Sequence, residues 1–137
     1  MPLDADTVRS VLVALGRPSA TATHLGEGFA SDAWLVRDGD TRLVLRIERP
    51  DAGYPNSYRL EHERMAALVD RGAVVPTPVA GSWEVEPDAA LAYSLTTYLA
   101  GSPTSNEALA GLVEQVASFL RTLHGVPATG DRRTALI

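Results

Sequence analysis

Leu25-Gly26-Glu27-Gly28-Phe29-Ala30-Ser31-Asp32-Ala33 decides the reading of this chain, together with the next apolar run, Leu43-Val44-Leu45-Arg46-Ile47. The first stretch has the spacing G-x-G-x-x-[G/S]-x-[V/A]. Two residues without side chains at a strand bend let backbone N–H groups approach phosphate oxygens. Taken alone, paired glycines at such a bend also mark an ordinary tight hairpin. A strand rather than a helix follows, so no helix N-terminus is offered to a pyrophosphate and the stretch is not a dinucleotide-binding fingerprint. The chain has no Gly-Lys-Ser/Thr, which excludes a Walker-type loop.

The second run places a cation on the following strand. Alternation puts Leu43, Leu45 and Ile47 on one face and Val44, Arg46 and Glu48 on the other. Arg46 is then either a solvated strand residue or a phosphate contact two positions beyond Val44, which would pack on a base. Glu61 bears on that choice. It precedes Met65 by four residues and Leu68 by seven, on the apolar stripe of its helix, and a carboxylate facing a core needs a cationic partner. Arg46 is the nearest candidate on the sheet that helix should cover. Glu63 lies roughly 200° around the helix from Glu61 and should be solvated.

Outward from these stretches, the pattern predicts an α+β domain. Asp4 or Asp6 can cap a first helix carrying Val8, Val11, Leu12 and Leu15, stopped by Gly16 and Pro18. Extended segments follow from Thr21 to Leu25, Ala33 to Arg37 and Arg42 to Glu48, with Asp38-Gly39-Asp40 as a hairpin turn rather than a metal loop. Asn56 or Ser57 caps a helix to about Arg71, closed by Gly72. Val79 to Trp83 and Leu91 to Leu99 read as two further strands around an acidic turn from Glu84 to Asp88. The expectation is a five-stranded antiparallel sheet with a covering helix. Thr104-Ser105-Asn106-Glu107 is a capping box, and Leu109, Leu112, Val113, Val116, Phe119, Leu120 and Leu123 trace a helical stripe. The boundaries are 1–20 for the lead-in helix, 21–101 for the sheet domain and 102–137 for the start of a helical part.

Composition narrows the function classes. The chain has 137 residues, 45% hydrophobic and 21% charged, enough for one compact core. It contains no cysteine, so it can form neither a disulfide nor a thiolate metal site. The net charge is −5 with dispersed basic residues, which disfavours nucleic acid as a partner. The N-terminus lacks the basic and apolar regions of an export signal and no apolar run reaches spanning length, so no membrane partner and a cytoplasmic location are expected. His24 falls in a strand, His62 on an exposed helical face and His124 at a helix end. No two have metal-ligand spacing, so no metal site is expected.

The segment Tyr93-Ser94-Leu95-Thr96-Thr97-Tyr98-Leu99-Ala100-Gly101 reads as a strand running into a linker, or as a hinge. In the second case the main chain around Thr97 and Leu99 pairs with an adenine edge while Leu25, Ala33 and Val44 sandwich the ring.

Gly26-Glu27-Gly28 with Ser31, Leu43 to Ile47, Glu61-His62-Glu63-Arg64-Met65-Ala66-Ala67-Leu68, Val75-Pro76-Thr77-Pro78-Val79, Tyr98-Leu99-Ala100-Gly101 and Leu120-Arg121-Thr122-Leu123-His124 together resemble the N-terminal part of the aminoglycoside phosphotransferase family, which includes hygromycin and macrolide kinases and is related to choline kinases. The resemblance runs from about His24 to Pro127, and it lies in the order and spacing of the motifs. It implies a protein-kinase-like N-lobe, then a hinge and the first helix of a helical lobe. It also implies ATP as cofactor, a hydroxylated aminoglycoside-like acceptor, and a nucleotide site from Leu25, Gly26, Gly28, Ser31, Ala33, Val44, Arg46, Glu61, Thr97 and Leu99. Arg46 takes the position of the phosphate-binding lysine and Glu61 that of its ion-pair partner. An arginine departs from the protein-kinase pattern, although its planar fork suits phosphate and carboxylate.

The family's H-G-D-x-x-x-x-N-like loop, which holds the base, and its later metal-ligating Asp follow the L-x-x-L-H helix. This sequence reads His124-Gly125-Val126 and contains no such loop. No catalytic residue is therefore assigned. Mg2+ is expected only with the rest of a longer phosphotransferase, and residues 1–137 alone should be inactive. A different class of function would be a stand-alone, non-catalytic nucleotide-binding or interaction module, self-associating through the Leu109–Leu123 stripe.

Overall fold

Residues 3–27, 31–50, 57–99 and 121 are described by the structure, a computed structural model. The elements run α1 (Ala5–Ala14), β1 (Thr21–Glu27), β2 (Ser31–Asp38), β3 (Thr41–Glu48), α2 (Tyr58–Asp70), β4 (Pro78–Gly81), α3 (Ser82–Val85) and β5 (Tyr93–Thr97). The backbone divides into two compact units, Met1–Arg59 with Pro78–Tyr98, and Leu60–Thr77 with Leu99–Ile137.

The first unit is built on the sheet, whose strand order is β1-β2-β3-β5-β4 with every neighbour antiparallel. The turn between β2 and β3 is as short as a hairpin allows. Asp38 pairs with Thr41, and Gly39 takes φ +61° at the first central position, the conformation a type II′ turn requires. Pro78 opens the edge strand β4, where its missing N–H costs no ladder bond in a neighbouring strand.

Alternation on β2 and β3 divides the sheet's faces. Trp34, Val36, Leu43, Leu45 and Ile47 are buried on one of them, joined by Tyr93 and Leu95 of β5. Within this unit the helix packed on that face is α1, through Val8, Val11 and Leu12, so the lead-in helix is itself a cover of the sheet. α1 begins where the sequence places its cap. The Asp4 carboxylate accepts a 2.7 Å hydrogen bond from the Thr7 N–H, which holds its pKa below the ordinary value. It ends in a glycine-closed motif, with Gly16 at φ +74°, Arg17 N–H bonded to Leu12 C=O and Gly16 N–H to Val13 C=O. Arg17 then reaches the β2–β3 hairpin through a 2.7 Å ion pair with Asp38.

The fourth predicted strand is cut short. The pattern predicts an extended Val79 to Trp83, yet the strand stops at Gly81 and Ser82–Val85 makes one helical turn, closed by Glu86 N–H on Ser82 C=O at 2.8 Å. Ser82 is the reason. Its Oγ accepts a hydrogen bond from the Tyr93 N–H at 3.1 Å, anchoring the turn to β5. The last strand is also shorter than the predicted Leu91–Leu99. It is buried from Tyr93 to Thr96 because it lies between β3 and β4. The Tyr93 hydroxyl donates to Glu86 at 2.8 Å, and burial first, then that carboxylate, pushes the phenol's pKa far above its usual value.

In the second unit, the body of α2 closes as its sequence requires. Gly72 sits at φ +82°, with Ala73 N–H on Leu68 C=O and Gly72 N–H on Val69 C=O. His62 corrects its sequence reading. It is 6% exposed rather than solvated, because it follows the buried Tyr58 by four residues and so lies on the same flank of the helix, at the margin of the exposed side that runs through Arg59, Glu63, Ala66 and Asp70. The Leu109–Leu123 helix and the capping box lie outside the described residues, Arg121 excepted.

Candidate functional site

The second face of the sheet collects most of the described residues that the sequence singled out. Register places Ala33 opposite Arg46, Leu35 opposite Val44, Val44 opposite Thr96 and Arg46 opposite Ser94. Cross-strand partners share a face. Ala33, Val44 and Arg46 are therefore together on the side away from α1, all half-buried, while Ser94 and Thr96 beside them are buried.

Arg46 is held from the first turn of α2. Its guanidinium lies over the Tyr58 ring at 5.1 Å from the centroid, a cation–π contact that positions the charge on this face. Tyr58 is 3% exposed, and its hydroxyl hydrogen-bonds Ser31 Oγ. Ser31 ends the glycine motif and Arg46 sits on β3, so Tyr58 joins the two ends of the motif pair. The sequence reading did not assign it. An aromatic one turn before Glu61 was the available signal.

Gly26 requires a separate explanation. Its φ is not in the left-handed region, and a Cβ built there would meet no atom of the described residues within 4 Å. The described fold therefore makes no demand for glycine at this position. A residue without a side chain keeps the backbone open to whatever approaches from outside. The preceding Leu25 is the extra residue of a β-bulge between His24 and Gly26 and is 52% exposed. Gly28 lies outside the described residues.

Among the remaining predicted residues, Thr97 ends β5 opposite Leu43 and is half-buried, and the next residue returns to β3 through Tyr98 N–H on Arg42 C=O at 3.3 Å. Leu99 is 46% exposed. Glu61 is half-buried in the second unit, on α2. The structure thus gathers Ser31, Ala33, Val44 and Arg46, with Gly26 on the same hairpin.

The comparisons with known proteins come from family and fold. The family model for the phosphotransferase enzyme family (APH) matches residues 21–136. The crystal structure of aminoglycoside phosphotransferase APH(4)-Ia superposes with a TM-score of 0.68 at 16% identity, over 90% of this chain and 40% of that one. A thermostable mutant of the same enzyme, in a ternary complex with AMP-PNP and hygromycin B, gives 0.71 at 16% identity over the same shares. A protein described as a fructosamine-3-kinase from Haemophilus somnus gives 0.53 at 18% identity, over 80% of this chain and 34% of that one. No curated protein matches by sequence. The likeness confirms the α+β architecture and the five-stranded sheet, and the chain spans about 40% of the length of the phosphotransferase structures it matches. No helix among the described residues is long and apolar enough to cross a membrane.

Proposed function

Because this chain belongs to the phosphotransferase enzyme family, we propose that it is the ATP-binding lobe of a small-molecule phosphotransferase acting on a hydroxyl of an aminoglycoside-like metabolite. The observation that carries the reading is the face shared by Ala33, Val44 and Arg46, with the Arg46 charge fixed on Tyr58.

Each residue then has a role. Gly26, with Gly28 following it, lets backbone N–H groups reach the phosphates. Arg46 supplies the cation for them, with Glu61 as its ion-pair partner in this reading. Leu25, Ala33 and Val44 sandwich the base, the main chain at Thr97 and Leu99 pairs with its edge, and Ser31 positions Tyr58 under Arg46. The H-G-D-x-x-x-x-N loop of the family is absent from these residues, so residues 1–137 by themselves should bind nucleotide without transferring phosphate. Mg2+ would be held by ligands belonging to the rest of a longer phosphotransferase.

The test is nucleotide binding by Arg46 variants. An arginine hydrogen-bonded to phosphate is worth about 1.5–3 kcal/mol, so Arg46→Ala should weaken AMP-PNP binding at least about tenfold in calorimetry, with Arg46→Lys intermediate. Equal affinities for all three proteins would remove Arg46 from the site. Binding of AMP-PNP by none of them would reject the nucleotide reading for this chain.

A further inference from the structure

The core-side face of the β1–β2 hairpin holds a polar cluster unconnected with the proposed nucleotide face. His24, Glu27 and Asp32 each bring one nitrogen or carboxylate oxygen within 4.8 Å of the other two. Regular alternation would send His24 and Glu27, three residues apart, to opposite faces. The bulge cancels this. The pairing shifts from His24 with Trp34 to Gly26 with Ala33, so Glu27 comes to face Asp32, on the side of Trp34 and His24.

Two of these side chains are poorly satisfied where they stand. Asp32 is 1% exposed, and although its Oδ2 accepts a 3.0 Å hydrogen bond from the Leu3 N–H, its Oδ1 has no hydrogen-bond partner among the described residues. His24 Nε2 is buried and equally without one, and the His24 ring is held edge-on against Trp34 with centroids 4.7 Å apart. A buried carboxylate oxygen and a buried imidazole nitrogen left unpaired beside each other carry their desolvation cost without return.

We propose that His24, Glu27 and Asp32 bind a divalent first-row metal ion, zinc by preference. One imidazole and two carboxylates are a zinc donor set, whereas Mg2+ prefers all-oxygen shells with several waters. The dication neutralises two carboxylates that otherwise repel. Metal–ligand bonds of about 2.0–2.2 Å put ligand atoms roughly 3.5 Å apart in a tetrahedral site, so the set closes by an inward movement of about 1 Å, which the exposed Glu27 can supply. Arg49 Nη1 lies 3.4 Å from Glu27 Oε2, a partly solvated contact with which a dication would compete for that carboxylate. Bound there, the ion ties β1 to β2 from the core side and leaves the opposite face of the hairpin unchanged. Water completes its coordination.

The chain, stripped with a chelator, should take up Zn2+ in calorimetry to one ion per molecule, melt at a higher temperature with zinc present, and give visible ligand-field bands with Co2+. His24→Gln should weaken zinc binding at least about tenfold and abolish the Co2+ bands. Because Asp32 is buried, the exposed Glu27→Gln serves as the second variant, checked for native circular dichroism, and it should weaken binding in the same direction. Absence of zinc-dependent heat and of any melting shift at millimolar zinc, or unchanged affinity in both folded variants, would overturn the proposal.

Discussion

On one face of the central sheet Val36, Leu45, Ile47 and Leu95 have no exposed surface, and Leu43 has almost none. On the other, Ala33, Val44 and Arg46 of the same strands keep part of theirs. Both faces come from one alternating pattern on β2 and β3, yet they are built for different purposes. The first is closed by α1 and stores stability in apolar burial. The second carries a charge fixed on an aromatic ring and a glycine that the described fold does not need. Adjacent positions on one strand should therefore respond differently to the same chemical change.

The largest effect is expected at neighbouring residues 44 and 45. Leu45→Ala should cost about 2–5 kcal/mol in urea unfolding, since it empties a site with no exposed surface. Val44→Ala should cost clearly less and weaken nucleotide binding instead. Comparable stability losses with unchanged binding would erase the distinction between the faces.

Tyr93 tests the core-side face through pH. Removing its hydroxyl in Tyr93→Phe should cost about 1 kcal/mol at neutral pH, the worth of one hydrogen bond. Its folded-state pKa is raised above the ordinary value of 10.0, so the associated stability is complete below pH 10 and is lost as pH rises beyond it. Stability measured from neutral to strongly alkaline pH should fall in the native protein and stay flatter in Tyr93→Phe. Parallel curves would show that the buried phenol is not responsible.

Gly26→Ala should produce the smallest change in folding and a selective change in binding. With no described atom near the position and no left-handed φ, thermal stability should stay within about 0.5 kcal/mol, while AMP-PNP affinity falls. A loss of stability without loss of affinity would return the glycine to the ordinary hairpin reading.

How far these faces could be read from sequence depends on what sets each of them. The period-two pattern of Leu43 to Ile47 is local, and the register in the structure follows it. Helix ends at Gly16 and Gly72 are local too, since left-handed φ values belong to glycine. Ser82 turned an expected strand into a helical turn through a bond to Tyr93, a partner eleven residues away that no local pattern displays. His62 falls outside a stripe drawn through Glu61, Met65 and Leu68, but Tyr58, four residues before it, is buried as well and widens the buried arc to that flank. The His24, Glu27 and Asp32 cluster is not legible in the sequence because it depends on a one-residue bulge, which reverses the parity that spacing assumes.

The most direct measurement is methyl NMR of the chain titrated with AMP-PNP, following both faces in one spectrum. Shifts are expected at Ala33 and Val44, with Val36, Leu43, Leu45 and Leu95 left near their starting positions. Shifts concentrated on the α1-covered leucines and valine, or an unchanged spectrum at high nucleotide concentration, would contradict the assignment of the Arg46 face to nucleotide.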